Sequence, residues 1–205
     1  MNLQPLFETQ AKLDECIVEK KGLQGQDLLD KKILALQVEL GELANEHRGF
    51  KFWSENQEPN TLEIIECQFC DEGSIHNGKI ETETCIECGG EFIIERKNPL
   101  LEEYVDCLHF ILSIGLELDP EIRTCVVEPH IYDEDSITDQ FIELNYQAYL
   151  VIKNYEYKEH VTGAWFTLLD LFAGLGKMLG FTWQQIEQAY FEKNKINHER
   201  QANGY

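Results

Sequence analysis

The sequence predicts an all-α protein, a helical bundle that is interrupted once by a small cysteine-rich module. Apolar residues recur at helical spacing over five or six stretches. Strand-like pieces such as 91–97 occur only in or beside the cysteine region. Hydrophobic residues make up 43% of the 205 residues, which is enough for a genuine core. We therefore expect a bundle over residues 1–57 and 98–205, with an insertion over 58–97.

The first helices are predicted from apolar periodicity and from a proline. An N-terminal helix is expected over about residues 3–20, and a second one lies within 28–50. The apolar residues of the second helix at helical spacing are Leu29, Ile33, Leu36, Leu40 and Leu43. The stretch 99–118 opens with Pro99, which is favoured at the first helical position. This stretch is apolar nearly all round, so we expect it to lie centrally in the bundle.

Three further helices are expected in the second half of the chain. The stretch 136–155 follows Ser136, a candidate N-cap. A second apolar stretch covers 161–180. The last helix is predicted over 182–201 with Thr182 as its candidate cap. No capping box is expected there, because the next glutamate falls too late in the sequence.

The charge balance and the N-terminus bear on partners and compartment. The formal net charge is −21, and so acidic a surface repels phosphate backbones and disfavours nucleic-acid binding. No stretch approaches the roughly 20 apolar residues of a membrane span. The start MNLQPLFETQ lacks a basic segment followed by an apolar one, so no signal peptide is visible. We expect a cytoplasmic protein whose seven cysteines are thiols or metal ligands.

Two CxxC pairs stand in the interrupting segment, Cys67 with Cys70 and Cys85 with Cys88. Each pair brings two thiolates onto one tight turn, and two pairs supply the four corners of a tetrahedral zinc site. Buried or redox cysteines are the alternative, but they do not account for two paired spacings in one short polar segment. Four thiolates leave no position open for water, so we expect a structural zinc ion that holds the module together.

The remaining cysteines receive a simpler interpretation. They stand apart from the paired ones, in apolar, helical or loop context, and we expect core or surface thiols. These residues are Cys16, Cys107 and Cys125. Basic residues are scarce in the cysteine module, so a nucleic-acid role is disfavoured for it as well.

Two pairs of acidic residues are spaced three apart on predicted helices, Glu39 with Glu42 and Glu103 with Asp106. Residues at this spacing are neighbours on one helical face. Taken singly, such a pair more often marks a solvated face. The second pair resists that interpretation because its helix is apolar nearly all round. Two helices that each offer two carboxylates beside a core can surround hard divalent cations, so together the pairs predict a metal site.

The C-terminal helix carries a polar stripe of Tyr190, Lys193, Asn197 and Arg200 at spacings of three and four. Basic residues near a helix end usually reflect solvation and favourable interaction with the helix dipole. The alternative is that this stripe holds a polyphosphate, with Arg200 as a bidentate ligand and Lys193 as a point charge. The spacing alone leaves both interpretations open.

At these residues the chain resembles the dimeric all-α dUTPase family, part of the MazG-like all-α nucleoside triphosphate pyrophosphohydrolases. The pairing of ExxE at 39–42 with ExxD at 103–106 indicates only that wider superfamily. The terminal pattern KNxxNxxRQxxGY is more specific, and it is complete at 193–205 as KNKINHERQANGY. FKFW at 50–53 and QAKLDE at 10–15 also resemble the family. The resemblance covers the helical body and not the cysteine module.

The resemblance implies a homodimeric enzyme that hydrolyses dUTP to dUMP and pyrophosphate, and the family often accepts dUDP too. Magnesium ions would bridge the phosphates, and a metal-held water would attack the α-phosphorus. The implied magnesium ligands are Glu39, Glu42, Glu103 and Asp106. Glu39 would also be the general base.

The resemblance further implies a set of substrate contacts. The phosphates or the sugar would meet Lys193, Asn197, Arg200 and Tyr205. Gln10 would read a polar edge of uracil, and Trp53 would stack on the ring or close the pocket. A core aromatic is an equal alternative for Trp53. Asp14 departs from the pattern, which tends to have an amide-bearing residue at that position.

The link between the two acidic motifs is a second departure, with 60 residues here where the family has a short link. The insertion must leave the bundle between the two metal-binding helices. That places the zinc module near the mouth of the active site or on the rim of the dimer, as a structural cap or a docking module for a protein partner. Two other functions stay open, a nucleotidase for dCTP or a modified nucleotide and a non-catalytic zinc-ribbon adaptor.

Overall fold

The structure, a computed structural model, describes residues 2–67 and 93–204. Within these ranges the six α-helices are α1 Gln4–Lys21, α2 Leu29–His47, α3 Pro99–Leu118, α4 Ile137–Tyr157, α5 Val161–Met178 and α6 Trp183–Ala202. The two β-strands are β1 Glu63–Glu66 and β2 Ile93–Lys97, and a short 3₁₀ helix covers Pro120–Thr124. The predicted all-α fold is confirmed, and every predicted helix is present close to its expected bounds.

The helices begin where the sequence supplies caps. Pro99 is the first residue of α3, and the side chain of Asn98 caps this helix. Ser136 caps α4 as predicted. Thr182 caps α6, but the expectation that this helix lacks a capping box is wrong. Gln185 stands where a glutamate was sought, and its Oε1 accepts a hydrogen bond from the Thr182 backbone N–H at 2.9 Å.

Helix α3 lies at the centre of the bundle, as its sequence predicts. It packs against α1, α2, α5 and α6, and most of its residues are buried. The indole Nε1 of Trp165 donates to the Ile111 carbonyl at 2.9 Å, and the Tyr104 hydroxyl donates to the Phe172 carbonyl at 3.0 Å. A buried hydrogen bond contributes about 1 kcal/mol net, and leaving one of its partners unpaired costs more. These bonds anchor α3 to α5, so the polar residues of α3 keep fixed positions.

The connection from the 3₁₀ helix to α4 is held against α5. Gln140 is fully buried at the start of α4, and its Nε2 donates to the Tyr132 carbonyl at 3.0 Å and to the Leu171 carbonyl at 2.6 Å. Gly174 of α5 lies so close to the Tyr132 carbonyl that a Cβ atom there would collide with it. The close approach of the two backbones therefore requires glycine at this position.

The chain leaves the bundle between α2 and α3 on a short antiparallel stem. Strands β1 and β2 pair with Glu63 opposite Lys97 and Glu66 opposite Ile93, with an irregularity in register near the far end. These strands confirm the prediction of extended structure beside the cysteine region. The division of the chain into a bundle and an inserted module stays a prediction.

The base of this stem is tied to the bundle at one asparagine. The backbone N–H of Asn60 donates to the Glu46 carbonyl at 2.9 Å, and its carbonyl accepts from the Leu100 N–H at 3.1 Å. Its side-chain Nδ2 also donates to Glu46 Oε2 at 2.7 Å. Asn60 thus joins the end of α2 to the start of α3 before the chain enters the stem.

Of the four predicted zinc ligands, only Cys67 belongs to the described residues, and it is buried directly after β1. Cys70, Cys85 and Cys88 lie outside the described residues, so the zinc site stays a prediction. Of the other three cysteines, Cys107 is buried, Cys16 is partly buried and Cys125 is exposed, and their assignment as simple thiols stays a prediction.

Exposed apolar side chains mark two parts of the surface. After α2, Phe52 and Trp53 are 85% and 66% exposed and contact each other edge to face, with ring centroids 5.0 Å apart. Helices α2 and α4 pack on each other and also expose apolar residues, Leu34 and Val38 on α2 and Ile142, Tyr146 and Tyr149 on α4. Across residues 2–67 and 93–204, no single helix is long and apolar enough to cross a membrane, although α5 and α6, bent by 110°, together pass that test of length and composition.

Candidate active site

Three of the predicted metal ligands converge between α2 and α3. Glu39 on α2 and Glu103 and Asp106 on α3 each offer an oxygen, and these oxygens lie within 4.8 Å of one another. The two helices pack on each other, so the acids of one face those of the other. Glu42 is exposed and lies outside this tight group, but its charge still acts on Glu39 and Glu103. The carboxylates can therefore surround a cation with oxygen atoms.

Burial and mutual repulsion raise the pKa values of these acids. Burial, followed by the charges of Asp106 and Glu42, raises the pKa of Glu39 to about 7. Burial and the neighbouring carboxylates likewise raise the pKa of Glu103 to about 7. The pKa of Asp106 is also raised by burial, against the opposing effect of Lys193. Near neutral pH the cluster therefore holds protons that a divalent cation would displace.

The polar stripe of α6 divides into two parts. Lys193 reaches the acids, with its Nζ 2.6 Å from Asp106 Oδ2, and the two side chains are only 17% and 20% exposed. Asn197 and Arg200 follow on the same side and line the adjoining cavity. Tyr190 is buried in the core instead, stacked on His109 with ring centroids 4.2 Å apart, so it cannot hold a phosphate as the stripe suggested. Tyr205 lies outside the described residues.

A cavity of about 490 Å³ adjoins the acid cluster. Glu39 and Asp106 lie at one part of its wall, and Asp14 and Lys32 lie at another. Helix α3 lines it with Asp106, His109 and Ser113 in sequence, a span of about 10 Å along the helix axis. The rest of the lining is largely apolar. A cavity of this size that combines apolar surface with several polar side chains suits a small molecule, and the acids lie at one of its ends.

His109 is a site residue that the sequence reasoning missed. Its Nδ1 lies 2.7 Å from Gln10 Oε1, and its buried Nε2 has no hydrogen-bond partner among the residues that the structure describes. Burial lowers the pKa of His109 to about 3, so the ring is neutral at physiological pH. A histidine one turn after Asp106 on an otherwise apolar helix was the available signal.

Gln10 and Asp14 of α1 belong to the same wall of the cavity. Gln10 Oε1 accepts from the Tyr190 hydroxyl at 2.8 Å, and Gln10 Nε2 donates to Asp14 Oδ1 at 2.7 Å. Ser113 Oγ donates to Asp14 Oδ2 at 2.6 Å, and Lys32 Nζ lies 3.8 Å from the same oxygen. Asp14 is thus a partly buried carboxylate that accepts two hydrogen bonds and has a lysine nearby.

Trp53 lies apart from this arrangement. It contacts Phe50 and Phe52 in the segment after α2 and is not among the residues that line the cavity. Its predicted contact with a substrate ring stays a prediction. The structure therefore brings together Gln10, Glu39, Asp106, Asn197 and Arg200 around one cavity, with Glu103 and Lys193 beside it.

A comparison with known protein families matches the part of the chain that forms the helices. A family model described as dUTPase matches residues 2–73 and 94–205. The matched segments contain every residue of the acid cluster and of the cavity, and the residues between them hold Cys85 and Cys88. No curated protein and no solved structure is significantly similar to the chain.

Proposed function

Since this chain belongs to the all-α dUTPase family and is a dUTP diphosphatase, we propose that it cleaves dUTP between the α- and β-phosphates, giving dUMP and pyrophosphate. The observation that carries this proposal is the carboxylate cluster at one end of a largely apolar cavity. The acids suit the phosphate end of a nucleotide through bridging cations, and the cavity suits the base and sugar.

The donor set fits magnesium. Every candidate ligand is a carboxylate oxygen, and Mg²⁺ prefers such ligands in proteins. We assign the ion or ions to Glu39, Glu42, Glu103 and Asp106. When bound, magnesium neutralises charge on the phosphates and lowers the pKa of the attacking water. The packing of α2 on α3 brings three of these side chains together, those of Glu39, Glu103 and Asp106, before the substrate arrives.

Glu39 is the residue that we assign as general base. Among the three tightly grouped acids only Glu39 and Asp106 also line the cavity, and Asp106 is held by Lys193 at 2.6 Å. We therefore infer that the Glu39 carboxylate faces the attacking water and takes its proton.

The remaining residues would bind and orient the nucleotide. Lys193, Asn197 and Arg200 approach the acid end of the cavity from α6, where they would contact phosphates or sugar, and we keep Tyr205 as a further candidate. His109 Nε2 would accept a hydrogen bond from the base, and the second hydrogen of Gln10 Nε2 could bond a base oxygen. The exposed Trp53 would have to move to reach the base.

A nucleotide panel with magnesium tests this function. The purified protein should release pyrophosphate from dUTP faster than from dCTP, dTTP, dATP or dGTP, and hydrolysis in ¹⁸O-water should label dUMP and not pyrophosphate. Attack on the α-phosphorus also predicts that dUDP yields dUMP and inorganic phosphate. Label in pyrophosphate would refute α-attack. A preference for dCTP or for a modified nucleotide would move the protein to the alternative nucleotidase function.

Variants separate the enzyme from the adaptor hypothesis. Glu39→Gln should abolish turnover, while Asp30→Asn, a matched change at an exposed carboxylate of α2, should leave it intact. A folded Glu39→Gln protein with unchanged turnover would refute the assigned base. A protein that binds no magnesium and turns over no nucleotide would favour the adaptor.

The predicted homodimer is part of the same proposal. The apolar residues that α2 and α4 expose are spaced three or four apart, so each helix presents a stripe and not scattered side chains. Exposed apolar patches of this kind often mark protein interfaces. Light scattering should give a dimer mass, and replacing Val38 and Tyr146 with lysine should give monomers. A monomeric wild-type protein at micromolar concentration would contradict the proposal.

The zinc module is proposed as an accessory to this chemistry. The stem of β1 and β2 carries the chain away from the bundle between the two helices that supply the acids. The module would then act as a cap over the site or as a docking place for a protein partner. If a cysteine variant lost turnover while the bundle stayed folded and magnesium stayed bound, the accessory role would be wrong.

A further inference from the structure

We propose that Asp14 is a positioning residue that acts through Gln10 to set the tautomer of His109, and thereby the preference of the cavity for uracil over cytosine nucleotides. The inference rests on the proposed function, since it assumes that the base lies against His109. Asp14 would not contact the base itself, and it would act on the base only through Gln10 and His109. Its basis is one continuous chain of hydrogen bonds along the cavity wall.

The chain of bonds is centred on the amide of Gln10. Its oxygen faces His109 Nδ1 at 2.7 Å and the Tyr190 hydroxyl at 2.8 Å, and its nitrogen faces Asp14 Oδ1 at 2.7 Å. Gln10, His109 and Tyr190 are all at least nine-tenths buried. Water cannot readily replace the buried bonds of Gln10 to His109 and Tyr190, so the amide must satisfy these neighbours in one orientation.

Only one neighbour of this amide imposes a direction on it. A histidine nitrogen can donate or accept, depending on the tautomer, and a tyrosine hydroxyl can do either. Burial raises the pKa of Asp14, but the charge of Lys32 and the hydrogen bonds from Ser113 and Gln10 favour its ionised form. Ser113 donates to the other oxygen, so Asp14 Oδ1 as a carboxylate oxygen can only accept from Gln10. If the Gln10 amide were reversed, its oxygen would face the Asp14 oxygen at 2.7 Å without a proton between them. The carboxylate therefore holds the Gln10 oxygen towards His109.

The orientation of the Gln10 amide in turn fixes the tautomer of His109. Since Gln10 presents an acceptor, His109 Nδ1 must carry the proton of the neutral ring. His109 Nε2 is then an acceptor, and it is the buried atom that has no partner among the described residues. The wall of the cavity thus presents a lone pair where the opposite tautomer would present an N–H.

A lone pair on His109 Nε2 distinguishes uracil from cytosine. Uracil carries a hydrogen on N3 and can donate it to His109 Nε2, whereas cytosine has a lone pair on N3 and would face the ring nitrogen without a proton. A site built for one hydrogen-bonding pattern rejects the other strongly, because its buried groups are left unpaired. Thymine carries the same N3 hydrogen as uracil, so the relay cannot distinguish those two bases. This difference provides an internal control.

The kinetic test compares Asp14→Asn with wild type. An asparagine can offer either an acceptor or a donor to Gln10, so both amide orientations and both His109 tautomers become accessible. The ratio of kcat/KM for dUTP to that for dCTP should fall by about tenfold or more, while the ratio for dUTP to dTTP should stay within about threefold. Asp30→Asn is the matched control and should change neither ratio.

The spectroscopic test observes the tautomer directly. Long-range ¹H–¹⁵N correlation spectra of histidine-labelled protein distinguish Nδ1–H from Nε2–H rings, and His109→Gln identifies the signal. Wild type should show the Nδ1–H tautomer, and Asp14→Asn should show a mixture. Ser113→Ala leaves Lys32 beside Asp14, which keeps the carboxylate charged opposite Gln10, so this variant should retain the Nδ1–H form.

The outcomes separate this inference from the function on which it rests. An Nε2–H ring in wild type, an unchanged tautomer in Asp14→Asn, or a parallel fall of both kinetic ratios would overturn the role of Asp14. If Asp14→Asn fails to fold, the tautomers of wild type and Ser113→Ala still test the inference, and an Nε2–H ring in either protein would overturn it. A wild-type protein with the Nδ1–H ring that does not hydrolyse dUTP would refute the proposed function and, with it, the nucleotide preference.

Discussion

Raising the pH should destabilise the metal-free protein, because two acids of the cluster bind protons more tightly when the chain is folded. The pKa of both Glu39 and Glu103 is about 7 in the folded protein, against an ordinary value of 4.5. Between these values the folded state holds more protons than the unfolded state. The contribution to stability is therefore fully present below about pH 4.5, falls as the pH rises, and is lost above about pH 7.

The size of the effect follows from the pKa values and the setting of the groups. For one isolated group, a rise from 4.5 to about 7 corresponds to about 3 kcal/mol. Both side chains are only partly buried and each raises the pKa of the other, so solvent screening and coupling reduce the sum. We expect a total loss of about 2 kcal/mol from about pH 5 to pH 8, which lowers the thermal midpoint by about 4–8 °C.

Urea unfolding and thermal scans across this range measure the effect. The buffers should be depleted of magnesium without a strong chelator, so that any zinc stays bound. Glu103→Gln should reduce the pH slope by about half and stabilise the protein at the alkaline end. Glu102→Gln, a change one residue away that lies outside the cluster, is the matched control. Saturating magnesium should also remove the slope, because the cation replaces the protons.

A wild-type midpoint that is constant or rises between these pH values in the absence of magnesium would refute the reasoning. So would a slope that Glu102→Gln and Glu103→Gln reduce equally. Either result would mean that the acids are more solvated, or farther apart, than the packing of α2 on α3 implies.

Three further changes test other parts of the molecule. Lys193→Met should lower kcat/KM for dUTP by about 100-fold, since a cation beside Asp106 and the phosphates is lost, and Lys193→Arg should recover part of it. Gly174→Ala should lower the free energy of unfolding by about 2–3 kcal/mol, measured by urea titration, because its Cβ would collide with the Tyr132 carbonyl. Cys67→Ser should reduce bound zinc, measured by mass spectrometry, from about one ion per chain to nearly none while the bundle keeps its helical signal.

Each of these changes has a control and a contrary result. Lys195→Met removes an exposed lysine of the same helix and should be silent, so equal losses in the two lysine variants would contradict the role of Lys193. Gly163→Ala adds a Cβ into open space, and it should cost much less than Gly174→Ala. Cys125→Ser changes an exposed cysteine and should keep the full zinc content. Full zinc content in Cys67→Ser would mean that Cys67 is not a zinc ligand.

The helices could be predicted because their signals are local. Apolar periodicity, Pro99 and Ser136 each act within a few residues of where they stand, so they are visible in one sequence. The acid cluster was also within reach, since a spacing of three places two carboxylates on one helical face. The cluster then follows if the two helices that carry these faces are neighbours in the bundle. The capping box of α6 was missed because a glutamate was sought where Gln185 serves.

The cavity wall depends on contacts between distant parts of the chain, and that is why sequence reasoning missed it. His109 meets Gln10, which lies 99 residues earlier, and Tyr190 meets Gln10 across 180 residues. Nothing local to His109 reveals an acceptor waiting at Nε2. Tyr190 illustrates the reverse error, since its spacing groups it with Lys193 while its packing places it in the core.

The bonds at Asn60 suggest that this protein can accept foreign segments. These bonds join the end of α2 to the start of α3 before the chain enters the inserted segment. Strands β1 and β2 then run side by side, about 5 Å apart, into and out of that segment. The entropy of closing a loop rises only slowly with its length, so the bundle should tolerate excursions of very different sizes. A reporter domain whose termini lie close together could be grafted there without disturbing the contacts between the helices.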